Sequence, residues 1–178
     1  MMKLKLTAAA LLTAIALTAV SCGGDPAVTD TTDTAAKTSD TAAVTEVQPI
    51  DVPTLAQTLA ASCAFSEVLM LNNAYLENHL FGFMTLSDSF VSYAAYVPAG
   101  ITPEEVLVFE VKTEGDTAAL VDKLNAYVTY QIEQYSDYAA HQVPKLDNPV
   151  ITVKGCTVVY VISEDNAAAA ETVKGLLG

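Results

Sequence analysis

The chain has 178 residues with eight lysines, no arginine and 21 acidic residues, and a formal charge of −13. Removing residues 1–21, read below as an export signal, leaves 157 residues with six lysines against the same 21 acids, a charge of −15. Binding phosphates takes clustered Lys and Arg, so the composition argues against a nucleic-acid partner. An anionic bilayer surface repels such a domain, and any hold on a membrane must come from something other than a basic patch.

Lys3 and Lys5 precede an uncharged run from Leu6 to Val20. A permanent spanning helix needs about 20 apolar residues, and the run instead fits the n-region, h-region and small-residue cleavage site of a secretory signal. Leu17-Thr-Ala-Val-Ser-Cys22 resembles the bacterial lipoprotein signal, in which the cysteine is acylated (palmitate) and becomes the new N-terminus. That resemblance implies lipidation at Cys22 and an extracytoplasmic protein, lipid-anchored to the outer face of the cell membrane. The alternative is an ordinary secretory signal with Cys22 left as a free thiol.

Residues 23–50 hold seven threonines and five acidic residues with no aromatic. Nothing there offsets the entropy of ordering the backbone, so residues 22–50 are expected to form the lipidated cysteine and a disordered tether. Thr32-Asp-Thr-Ala-Ala36 recurs as Ser39-Asp-Thr-Ala-Ala43 without the large apolar residues of a coiled-coil seam. About 28 flexible residues reach roughly 30 Å.

Residues 51–178 are expected to make one α+β domain. Asp51 or Thr54 caps a short helix with Leu55, Leu59 and Cys63 on one face. Residues 65–86 stay open: Val68–Leu71 is a run of strand length, Asn72-Asn73 breaks it, and Ala74–Phe81 suits a helical turn or two. Residues 89–97 alternate as a strand, Pro98-Ala-Gly100 turns the chain, and Val106–Val111 returns as an antiparallel partner. Asp116 is placed to cap a long helix whose Leu120, Leu124, Val128, Ile132 and Tyr135 keep the 3.6-residue period. Val150–Val153 and Thr157–Ile162 flank Lys154-Gly155 as a hairpin, and Asp165 or Asn166 caps a last helix with Ala169, Val173 and Leu176 on one face. The expected architecture is two-layer, with about four antiparallel strands and the long and C-terminal helices packed on one face.

The stretch from Tyr138, Val143, Leu146 and Asn148 through Val150 and Lys154-Gly155 to Val158-Val-Tyr-Val-Ile162, with the acidic approach Glu104-Glu105 to Val106-Leu-Val-Phe109, resembles a bacterial lipoprotein domain-of-unknown-function family (number 4358), over about residues 53–177. The resemblance implies export and a fold, and it carries no assigned activity.

Chemistry is thinly supplied. Motifs for a nucleophile elbow, a zinc protease, a phosphate loop or a calcium loop are missing. The two histidines, His79 and His141, and the scattered Cys63 and Cys156 make a poor zinc set, and no metal or cofactor is expected. Both cysteines sit in apolar surroundings, where buried free thiols are favoured over a bridge. Tyr127, Tyr130, Tyr135 and Tyr138 cannot all face a sheet from one helix. Tyr130, Tyr138 and His141 are therefore the candidate binding surface, the alternative being that the tyrosines cover helix flanks or fill the space near Pro144. The favoured function is a noncatalytic binding or accessory module at the cell surface, with a protein or envelope-polymer partner. The competitor is a small extracytoplasmic enzyme, or the helper of an envelope-modifying one, using His141, Tyr138 and Glu105. A concave pocket of about 300 Å³ or more with convergent polar groups and either histidine would favour the enzyme; a flat tyrosine face would favour the module.

Overall fold

The computed structural model describes residues 50–80 and 89–178. The signal, Cys22 and the tether up to residue 49 lie outside the described residues, as do Phe81 and the rest of the open segment up to Leu86.

Helix α1 spans Val52–Ser62, started by Asp51, whose carboxylate accepts from the Thr54 amide at 3.0 Å. Strand β1 is only Met70–Leu71. Asn72 then ends it by accepting the Tyr75 amide through its side chain at 3.1 Å, which opens a short helical segment, α2 at Asn73–Tyr75 continuing as a π-helical turn Leu76–Leu80. β2 (Phe90–Val97) and β3 (Glu105–Val111) follow, then α3 (Glu114–Tyr138), a 3-10 segment (Ala140–Leu146), β4 (Val150–Lys154), β5 (Thr157–Ile162) and α4 (Asn166–Leu177). The β4–β5 hairpin turns at Gly155, whose φ of 54° is one that glycine adopts without a Cβ penalty. Asp165, not Asn166, caps α4, accepting from Ala168 N at 3.0 Å. Helix α3 starts earlier than expected: its N-cap position is Thr113, and Asp116 lies inside the first turn with Glu114. There the acid favours the helix dipole and accepts from Thr113 Oγ1 at 2.8 Å.

The sheet is antiparallel with order β1-β2-β3-β5-β4. Leu107, Phe109 and Val111 of β3 and Val158, Tyr160 and Ile162 of β5 pack with Leu120, Leu124, Tyr127 and Val128 of α3. Val106, Val108, Val159 and Val161 point the other way, against Val52, Leu55, Ala56 and Leu59 of α1 and Ala169, Val173 and Leu177 of α4. This corrects three expectations within an α+β fold that otherwise stands. Among the described residues the strands number five, because the open segment supplies β1. The long and C-terminal helices cover opposite faces, and the layers are three. The physical reason is that β3 and β5 are apolar on both faces, so one helical layer would leave half of each strand's apolar surface in water.

In β2 the register shifts between Phe90 and Ser92, so Val91 is squeezed out and Phe90 joins Tyr93 and Ala95 on the α3 side. Cys63 packs with the α1–α4 side and Cys156 with the α3 side, both as half-buried free thiols. Across the sheet they cannot meet.

Candidate functional site

Glu104 and Glu105 are neighbours in sequence, and strand alternation sends their side chains to opposite faces. Glu104 is fully buried and completely partnered: Oε2 accepts from the Ser66 amide at 2.8 Å and the Ser66 hydroxyl at 2.6 Å, and Oε1 pairs with Lys145 at 2.9 Å. Lys145 also holds the exposed Glu164. This cluster ties the loop after α1 to the 3-10 segment, and its chemistry is closed.

Glu105 faces α3 with 2% of its surface exposed, and among the described residues no cation pairs with it. Gln131 Nε2 donates to Glu105 Oε1 at 2.9 Å and lies 3.1 Å from the Tyr127 hydroxyl, while Gln131 Oε1 accepts the Tyr160 hydroxyl at 2.9 Å. Tyr127 donates to Glu105 Oε2 at 3.5 Å and sits 2.8 Å from the Tyr75 hydroxyl. Burial pushes the carboxyl up to about 8, against the pull of hydrogen bonds from Gln131, Tyr127 and Tyr160. Burial thus favours the protonated form of this carboxyl. The hydroxyls of Tyr75, Tyr127 and Tyr160 are raised as well, by burial first and then by the neighbouring Glu105, so they stay neutral.

Tyr75, Tyr127 and Gln131 form the floor of a concave pocket of about 480 Å³ between the α2 segment and α3. Asn78, His79, Tyr130, Gln134, Tyr135 and Tyr138 complete the described lining. His79 stacks on Tyr75 with ring centroids 4.8 Å apart, and Tyr135 on Tyr138 at 5.3 Å. A small cavity of about 100 Å³ behind this wall is bordered by Glu105, Gln131, Tyr75 and Tyr135. The buried acid therefore stands one side chain behind the pocket.

Of the candidate surface, Tyr130 and Tyr138 line the pocket and His141 does not. His141 is exposed on the 3-10 segment with its ring 3.2 Å from Gln142 Nε2. The histidine brought to the site is His79. Of the trio named for an enzyme, Tyr138 is at the rim and Glu105 behind the floor. Sequence reasoning missed Tyr75, Gln131 and Tyr160. A signal existed for Gln131, a polar residue one position before Ile132 on the buried side of α3, but nothing local marked Tyr75 or Tyr160 as its companions. Among the described residues no three His, Cys, Asp or Glu are grouped to hold a metal ion, and no helix is long and apolar enough to cross a membrane.

Fold and site together define a small three-layer α+β domain with an aromatic, amide-bearing pocket between the α2 segment and α3. Residues 78–163, from His79's neighbour through β5, match the family described as "Domain of unknown function (DUF4358)". The match takes in every described lining residue except Tyr75 and leaves out α1 and α4. No curated protein and no solved structure matches the chain.

Proposed function

We propose that the protein is an extracytoplasmic lipoprotein, held at the outer face of the membrane by acylated Cys22, whose domain is a noncatalytic binding or accessory module that captures its ligand in the tyrosine pocket. The observation that carries the reading is the composition of the pocket: five tyrosines, three side-chain amides and one histidine, with no serine, cysteine, lysine or carboxylate in the described lining. Rings and amides give contact area and hydrogen bonds, which suit recognition. Covalent catalysis by serine, cysteine or lysine needs that nucleophile beside a base, and none of the three is in the described lining. The partner is a protein or an envelope polymer. Crosslinking and pull-down from intact cells with the tethered domain as bait should capture it, and Tyr130→Ala and Tyr138→Ala should each weaken capture; undiminished capture by both variants would remove the pocket from the reading.

A second reading is favoured by one observation, that the pocket is concave, larger than 300 Å³ and includes a histidine. In a small envelope-acting enzyme His79 would take the place expected of His141, with the Tyr75–Tyr127–Glu105 chain behind it as a proton path. Turnover of an envelope-derived substrate that is lost in His79→Ala, with no partner captured, would put the enzyme ahead.

A further inference from the structure

We propose that the pocket takes a cationic headgroup of the alkylammonium type, seated against the tyrosine rings with Glu105 as its counter-charge behind the floor. The inference rests on the reading of the pocket as a ligand site and names the class of ligand.

Three observations lead there. The described lining holds no lysine, and the chain carries a formal charge of −13, so an anionic ligand meets no complementary charge and a repulsive field. Five tyrosines converge on one cavity, and a cation within about 6 Å of an aromatic face is attracted by the ring quadrupole. A neutral ligand would satisfy both points equally well. Glu105 decides between them: of the two fully buried carboxyls at the start of β3, Glu104 has its ammonium in Lys145 and Glu105 has none among the described residues. Two of its hydrogen-bond partners, Gln131 and Tyr127, are themselves floor residues. An ammonium on that floor would face Glu105 across Gln131 and Tyr127, one side chain away, where Lys145 meets Glu104 directly.

The proton balance follows. Among the described residues the groups facing Glu105 are Tyr127, Gln131 and Tyr135 from α3, Tyr75 from α2 and Tyr160 from β5, with Glu104 bordering the same small cavity and His79, Tyr130 and Tyr138 the remaining titratable groups of the lining. Burial keeps Tyr75, Tyr127, Tyr135 and Tyr160 neutral, so a bound cation is neutralised by ionisation of Glu105, whose proton leaves to solvent. Binding should therefore release protons near neutral pH and tighten as pH rises toward 9.

Choline and its neutral carbon isostere 3,3-dimethylbutan-1-ol separate charge from shape, and Nα-acetyl-lysine amide tests a protein's primary amine against a quaternary headgroup. Calorimetry at pH 9 should show one of the two cations bound about tenfold more tightly than the isostere. Glu105→Gln should abolish that preference. Equal affinity for cation and isostere, or a preference that survives Glu105→Gln, would overturn the proposal. Should that variant fail to fold, the preference measured in a His79→Gln background must still grow between pH 6 and pH 9, and a flat profile overturns the proposal as well. If neither cation binds, the proposal fails; loss of partner capture in Tyr138→Ala would then keep the pocket as a binding site for another class of ligand.

Discussion

Glu104 and Glu105 are the same residue type at adjacent positions, one just before β3 and the other its first residue, and their surroundings make them opposites. Lys145 compensates Glu104, so deleting the lysine strands a buried charge. Lys145→Ala is expected to cost about 3 to 5 kcal/mol, whereas Glu164→Ala, which touches only an exposed pair, should cost well under about 1 kcal/mol; urea denaturation of both variants measures the difference. Glu105 has the reverse linkage. Its pKa is raised in the folded state to about 8 from an ordinary 4.5, so between those values the native protein binds the extra proton. The stabilisation is complete below about pH 4.5 and is lost as pH rises through 8, on the order of several kcal/mol for such a shift. Denaturation midpoints should fall between pH 5 and pH 9 in the wild type and fall less in Glu105→Gln; parallel curves would show that the carboxyl titrates normally. In the sequence the two acids read as a pair at a strand start. Nothing in their spacing tells which one finds a cation, because Lys145 arrives from 41 residues away.

At the level of elements, α3 was the most legible part of the chain, since its apolar residues repeat at helical period. Leu120 and Leu124 are fully buried, Val128 nearly so, and Ile132 is half-buried against the same core. Leu124→Ala should cost about 2 to 5 kcal/mol, and a change below about 0.5 kcal/mol in chemical denaturation would place the helix outside the core. The period did not reveal that Tyr127 and Gln131 share the buried side, because polar residues carry no weight in an apolar stripe. In β2 the alternation was readable but one bulge at Val91 changed which residues keep company, and a bulge has no sequence marker here. The strands β3 and β5 held a signal that was underused. Val106-Leu-Val-Phe109 and Val158-Val-Tyr-Val-Ile162 are continuous apolar runs, which is the pattern of strands covered on both faces rather than one.

For the molecule as a whole, the double covering of the sheet is the lesson that element-by-element reading missed. It also settles the cysteines: Cys63 and Cys156 lie on different sides of the sheet, so the intact mass of the protein should be the same with and without reductant, and a 2 Da difference would contradict the fold. The proposed membrane attachment rests on Cys22. Cys22→Ala should block acylation and signal processing, and unchanged processing of that variant would withdraw the anchor from the proposal.

The layering has a practical consequence. Helix α1, where the described domain begins, and α4, which carries its last residues, pack side by side on one face of the sheet, while the pocket belongs to the layer of α3 on the other. Both ends of the domain can therefore be fixed to a bead, a sensor chip or a reporter with a whole sheet standing between the attachment and the tyrosines. Immobilisation through either end should leave ligand access the same.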